Sequence, residues 1–222
     1  MCSACICPGG VLLSRPKAMT KVKICGLTDP AHAVECVAAG AWAIGVVLAL
    51  ESPRYVTIEQ AVHVLAAVPD GVARVGVFVD APIAELARAA GHIGLTHLQL
   101  HGAADIDEAR RVTGLPIIRG VQYRGPESVN VTPGGIPDLV LFDAAVPGVH
   151  GGTGVRLDWD DLAQHRPEYP FGLAGGLRPD NVYAAIRSVR PEFVDVSSGV
   201  ELSPGLKDHA KVKAFMAAVQ DA

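Results

Sequence analysis

Val22-Lys23-Ile24-Cys25-Gly26-Leu27-Thr28-Asp29 is a short strand-forming run that stops on a glycine turn. A doubly wound dinucleotide-binding sheet usually carries G-x-G-x-x-G directly after its first strand. Here that place reads Cys25-Gly26-Leu27-Thr28-Asp29, so the fingerprint is missing. After this first run (22–25), similar runs recur at 43–47, 73–79, 97–100, 116–121, 139–142, 171–174 and 193–196. Most are apolar without alternation, as strands of a parallel sheet covered on both faces are. Helical patterns lie between them at 31–39, 59–68, 83–90, 106–113 and 181–189, and a last one runs from 209 to 219. Thr57 and Gln60 fit a capping box. Pro82 and Pro179 lie near helix starts, and Gly40, Gly91 and Gly114 follow helix ends. The connection 123–137 reads as irregular. Eight β–α units in about 200 residues predict a single (β/α)8 TIM barrel of the α/β class rather than an open sheet.

Composition narrows the function. The 222 residues carry a net charge of −4, half are hydrophobic and 19% are charged, which excludes disorder for most of the length. With no Lys/Arg run, neither nucleic acid nor an anionic membrane surface is expected as a partner. The uncharged stretch 36–50 is shorter than the ~18 residues that span a bilayer, and it reads as a helix end followed by a buried strand. Residues 1–18 precede the first strand and read as a disordered N-terminal extension to a catalytic domain over 19–222. Their Arg15 and Lys17 follow the apolar Val11-Leu12-Leu13, the reverse of a secretory signal. Cys2, Cys5 and Cys7 lack a fourth ligand, so no metal site is expected. Five cysteines without a disulfide pattern suit a reducing cytoplasm.

Active sites of such barrels sit at the C-terminal strand ends. Those places hold Cys25, Ser52 and Arg54, Asp80, Gln99 and His101, Asp143, Gly175-Gly176 and Ser197-Ser198-Gly199. The two last turns present backbone N–H groups and hydroxyls toward one point, as a phosphate cradle beside a helix start does; tight left-handed turns are the other reading. Cys25 and Asp143 are the candidate acid–base pair. A thiol facing the start of the next helix is expected to have a lowered pKa, whereas Cys36 reads as an apolar filler. Asp80 before Ala81-Pro82 reads as an ordinary N-cap. Arg54 could fork onto a carboxylate or pair with Glu51 in solvent. His101 could be an acid, a substrate ligand or a barrel-end hydrogen bonder.

Several segments together resemble phosphoribosylanthranilate isomerase: Lys23-Ile24-Cys25-Gly26-Leu27-Thr28, Ser52-Pro53-Arg54-Tyr55-Val56, Val75-Gly76-Val77-Phe78-Val79 and Leu98-Gln99-Leu100-His101-Gly102. Leu141-Phe142-Asp143, Gly151-Gly152-Thr153-Gly154, Gly175-Gly176-Leu177, Asp195-Val196-Ser197-Ser198-Gly199-Val200-Glu201 and Pro204-Gly205-Leu206-Lys207-Asp208 continue it in the family's order and spacing. The resemblance implies a cofactor-free, monomeric or homodimeric barrel enzyme of tryptophan biosynthesis whose partner is a small phosphorylated substrate. It implies that Asp143 is the general acid and Cys25 the general base of an Amadori rearrangement. For Asp143 to donate near neutral pH, partial burial must raise its pKa. Arg54 resembles the arginine that holds the anthranilate carboxylate, His101 lies in a substrate-binding segment, and Gly175, Gly176, Ser198 and Gly199 resemble the phosphate cradle. Two residues depart from the pattern: Ala174 stands where relatives often have Ser, and Glu51 adds negative charge beside the Ser-Pro-Arg segment. Other sugar-phosphate barrels fit less well. An aminoimidazole-carboxamide ribotide isomerase is expected to have Asp where this chain has Cys25, and a ribulose-phosphate epimerase needs a His/Asp metal cluster. A non-catalytic binding barrel would not need both Cys25 and Asp143.

Overall fold

The computed structural model describes residues 19–130, 134–144 and 157–222; the 1–18 segment and Gly151-Gly152-Thr153-Gly154 lie outside the described residues. Eight parallel strands close into a barrel in chain order: β1 (Lys21–Cys25), β2 (Ala43–Val47), β3 (Ala73–Val79), β4 (His97–His101), β5 (Ile117–Tyr123), β6 (Leu139–Ala144), β7 (Phe171–Leu173) and β8 (Phe193–Val196). Closure is made by β1 against β8, with Lys21 opposite Phe193 and Lys23 opposite Asp195. The helices are α1 (Pro30–Ala38), α2 (Ile58–Leu65), α3 (Ile83–Ile93), α4 (Ile106–Thr113), α5 (Trp159–Gln164), α6 (Val182–Val189) and α7 (His209–Gln220).

The pleat of a strand points successive side chains to opposite faces, and here both faces are buried. Alternate residues therefore sort into separate cores. Val22 and Ile24 of β1, Ile44 and Val46 of β2 and Phe142 of β6 pack outward with the helices. Ala43, Val75, Ile118, Leu141, Ala174 and Phe193 fill the barrel interior, and Cys25, Val47 and Val77 form a small cluster nearer its mouth. Local chemistry fixes the helix ends. Thr57 and Gln60 make the expected capping box on α2, Asp29 caps α1 at Ala31 N (2.7 Å), and Gly114 ends α4 in the left-handed region.

Three expectations need correction. Gly91 lies within α3, which runs on to Ile93 and ends at a left-handed Gly94 instead. Asp80 is not an N-cap: Pro82 holds that position, while Asp80 has φ +47° and accepts the Ala103 amide at 2.7 Å, tying the turn after β3 to the turn after β4. The segment after β5 contains a 3-10 turn at Pro126–Asn130 rather than wholly irregular chain. The sequence pattern also passed over α5, which has only six residues, and a hairpin of β9 (Glu201–Ser203) and β10 (Leu206–Lys207) that turns at Pro204-Gly205. Among the described residues no helix is long and apolar enough to cross a membrane.

Gly172 in β7 supports the Phe193 ring that fills the lower interior; a Cβ there would collide with the ring. Gly172→Ala is expected to lower stability by about 1–3 kcal/mol through overpacking. The urea midpoint measures it, and an unchanged midpoint means that the ring yields without cost.

Candidate active site

The C-terminal ends of the strands carry Cys25 on β1, His101 on β4 and Asp143 on β6, with Arg54 on the loop after β2. Cys25 is only 8% exposed, and Gly45 on the neighbouring strand makes room for it: a Cβ on Gly45 would stand 2.9 Å from Cys25 Sγ and 3.2 Å from Lys23 Nζ. Lys23 lies two residues down the same strand, on the same interior face. It is fully buried and bonds Asp195 Oδ2 at 2.8 Å.

Burial pushes the Cys25 thiol up, against the lowering influence of the Lys23 ammonium. This overturns the expected depression. The amides that follow Cys25 are engaged: Gly26 N and Leu27 N donate to Gly45 O, and α1 starts only at Pro30 with Asp29 as its cap. Enclosure in low-dielectric protein disfavours the anion, and only a nearby cation opposes it.

Asp143 is partly open to the mouth. Its Oδ1 accepts the Ala144 amide at 2.8 Å and lies 3.2 Å from where a Cβ on Gly175 would be. Desolvation raises the carboxyl to about 6, with Asp195 adding to the shift and the Ala144 amide and Lys23 opposing it. Cys25 and Asp143 thus feel the same buried Lys23–Asp195 pair.

Arg54 is 7% exposed and forks onto Glu201 through Nε (2.9 Å) and Nη2 (2.6 Å), so the solvent pair with Glu51 does not form. Glu51 is exposed on the same loop. Lys207 Nζ donates at 2.7 Å to Glu201 Oε1, the oxygen that Arg54 Nε also bonds. Burial alone would push the Glu201 carboxyl up, but Arg54 and Lys207 together hold it below the ordinary range. Arg54 also crosses the turn after β1, its Cδ 2.5 Å from the position of a Cβ on Gly26.

His101 is buried, with Nε2 2.8 Å from Gln99 Nε2, and its ring lies over Gly120, where no Cβ could fit. After β7, Gly175 (φ +87°) and Gly176 (φ +65°) make a left-handed turn, and after β8 a single 3-10 turn spans Ser198–Val200. The two turns touch: a Cβ on Gly199 would strike Leu177 O. Helix α6 begins only at Val182, so the helical turn adjoining the cradle is the short Ser198–Val200 one. Ser197 is committed to the barrel seam, its Oγ donating to Cys25 O at 3.0 Å. Ala174 packs in the barrel interior, where a serine hydroxyl would replace its methyl hydrogen.

The structure therefore gathers Cys25, Arg54, His101, Asp143, Gly175, Gly176, Ser198 and Gly199 at one end of the barrel. Sequence reading gave no role to Lys23, Asp195, Glu201 or Lys207, all nine-tenths buried or more. A signal for the first two was present: opposite charges at inward positions of the apolar first and last strands. Among the described residues no group of three or more His, Cys, Asp or Glu could hold a metal ion.

The family model described as N-(5'phosphoribosyl)anthranilate (PRA) isomerase matches residues 22–218. The N-(5'-phosphoribosyl)anthranilate isomerases of Geobacter sp. (strain M21) and Paracoccus denitrificans are 45% and 43% identical, covering 90% and 88% of this chain and 97% and 95% of their own. The crystal structure of phosphoribosyl anthranilate isomerase from Thermotoga maritima is 34% identical with a TM-score of 0.81, over 92% of this chain and 100% of that one. A phosphoribosyl anthranilate isomerase in complex with reduced 1-(o-carboxyphenylamino)-1-deoxyribulose 5-phosphate is 33% identical with a TM-score of 0.78, over the same shares.

Proposed function

The chain belongs to the N-(5'-phosphoribosyl)anthranilate isomerase family, and on that footing we propose the part that each group at the barrel mouth plays. The enzyme converts N-(5-phosphoribosyl)anthranilate to 1-(2-carboxyphenylamino)-1-deoxyribulose 5-phosphate in tryptophan biosynthesis. Asp143 in its protonated form donates to the furanose ring oxygen, and the C1–O bond breaks to leave an iminium between C1 and the anthranilate nitrogen. Cys25 as thiolate takes the proton from C2, giving an enolamine. That species tautomerises to the ketose as the C2 hydroxyl loses its proton and C1 gains one. Each turnover leaves a thiol and a carboxylate, and transfer of one proton back restores the pair.

The carrying observation is the buried thiol and the raised carboxyl at one barrel mouth, both under the Lys23–Asp195 charge pair. The touching turns at Gly175-Gly176 and Ser198-Gly199 receive the phosphate through backbone N–H groups. The fork to Glu201 uses Nε and Nη2 of Arg54, and the Nη1 edge takes the anthranilate carboxylate. His101 binds beside them, held in one orientation by Gln99 and Gly120. The enzyme works in the cytoplasm as a monomer or a homodimer. Turnover of enzymatically generated phosphoribosylanthranilate, followed as loss of its fluorescence, tests the assignment.

Cys25→Ser and Asp143→Asn are each expected to lower kcat by about 10²-fold or more while KM stays within a few-fold, because both act on the transition state. A strong rise in KM with kcat spared makes Asp143 a binding group.

The pH profile follows from the two shifts. Reaction needs Asp143 protonated and Cys25 ionised, yet Asp143 titrates at about 6, below Cys25. Below pH ~6 the acid is fully protonated and the thiolate fraction rises with pH; between the two pKa values the rise and fall cancel; above the thiol pKa the acid fraction falls alone. So kcat/KM climbs to a midpoint near 6, runs flat and declines only in alkali. The acidic midpoint belongs to Asp143, and it disappears in Asp143→Asn.

Inorganic phosphate is expected to inhibit competitively through the Gly175–Gly176 and Ser198–Gly199 turns. Loss of that inhibition in Gly199→Ala, where a methyl would meet Leu177 O, places the anion there; inhibition that survives places it elsewhere.

A further inference from the structure

A thiol enclosed by Val47 and Val77 is a poor base unless something holds its anion. We propose that Lys23 is the positioning residue for that anion: its ammonium, anchored inside the barrel by Asp195, is the counter-charge of the Cys25 thiolate, and Asp195 competes with the thiolate for it. The inference rests on the reading of Cys25 as the base.

The geometry selects Lys23 among the cations near the sulfur. Sγ and Nζ both lie against Gly45, 2.9 and 3.2 Å from the place its Cβ would take, so both use the room that this glycine leaves. An ammonium has three N–H donors, and the Asp195 bond at 2.8 Å takes one of them. The remaining cations are engaged: Arg54 forks onto Glu201, and Lys207 bonds Glu201 Oε1 and Ser197 O. Among the described residues the anions are Asp195 itself, whose buried Oδ1 has no hydrogen-bond partner there, Glu201, already neutralised by Arg54 and Lys207, and Asp143 on β6. Cys25 thus faces Lys23 from its own strand, Asp195 from β8, Lys207 from β10 and Arg54 from the loop after β2, while Asp143 on β6 meets the same Lys23–Asp195 pair. Among the described residues, only Lys23 combines a position beside the sulfur with an ammonium not tied to Glu201.

The arrangement predicts opposite effects from two substitutions that keep shape. Asp195→Asn leaves Lys23 a hydrogen-bond acceptor but removes its competing anion, so the thiolate gains the charge. Adding Lys23→Met to Asp195→Asn removes the cation without leaving a buried carboxylate unpaired. The measurement is thiolate absorbance near 240 nm, taken as the difference from the same protein carrying Cys25→Ser, which cancels the other cysteines and the tyrosines. At about pH 8 the Cys25 signal is expected to rise roughly threefold or more in Asp195→Asn and to fall by a similar factor in the double variant. Equal signals in the two variants, or a signal that fails to rise in Asp195→Asn, overturn the inference; if the double variant does not fold, the single one decides. The reading of Cys25 as base is judged apart, by turnover of Cys25→Ser. Full turnover there removes the base role while the absorbance still reports on Lys23.

Discussion

Everything at the mouth of this barrel depends on β1 meeting β8. That seam joins residues about 170 positions apart and sets Lys23 directly opposite Asp195. Because side chains alternate along each strand, the step that puts Lys23 inside also puts Cys25 inside, one layer higher. A shift of one residue in the seam would send both outward among the helices and place Val22 and Ile24 in the interior. The Lys23–Asp195 pair thus fixes the register in which the site exists. Removing one partner of such a buried pair typically costs about 3–5 kcal/mol, since the other charge is left without compensation.

A second set of charges steadies the loops above. Glu201 accepts Arg54 from the loop after β2, Lys207 from β10 and, through its backbone oxygen, Lys211 from α7 at 2.8 Å. One carboxylate therefore ties the second loop to the chain that follows β8. The fork fixes the plane of the Arg54 guanidinium, so little of its side-chain freedom remains. The two ionic groups act at different levels: the lower one bears on the protonation of Cys25 and Asp143, and the upper one holds the loop after β2.

The sequence made the barrel legible because its strands are apolar on both faces and its helices are not. The runs 43–47, 73–79 and 193–196 coincide with β2, β3 and β8. Helix α5 escaped because six residues rich in Asp give no periodic stripe, and the β9–β10 hairpin because its second strand has two residues. Position along the strand was enough to place Cys25, His101 and Asp143 at the C-terminal strand ends. Protonation was less legible. Whether a strand-end thiol is eased or strained depends on which groups the other strands bring beside it, so the depressed pKa expected for Cys25 became a raised one. The partner of Arg54 was hidden for the same reason: Glu51 is near in sequence, but Glu201, 147 residues away, is near in space.

Several reactive or ordered side chains rest on a residue with no side chain at all. Gly45 underlies Cys25 and Lys23, Gly120 underlies His101, and Gly175 adjoins Asp143. Every missense change at such a codon adds atoms where there is little or no room for them. Substitution in this part of the barrel is accordingly expected to be costly at positions that perform no chemistry themselves. A saturation-mutagenesis map of the enzyme would mark these glycines as intolerant alongside the side chains they make room for, and would trace the barrel mouth in residues that contribute only space.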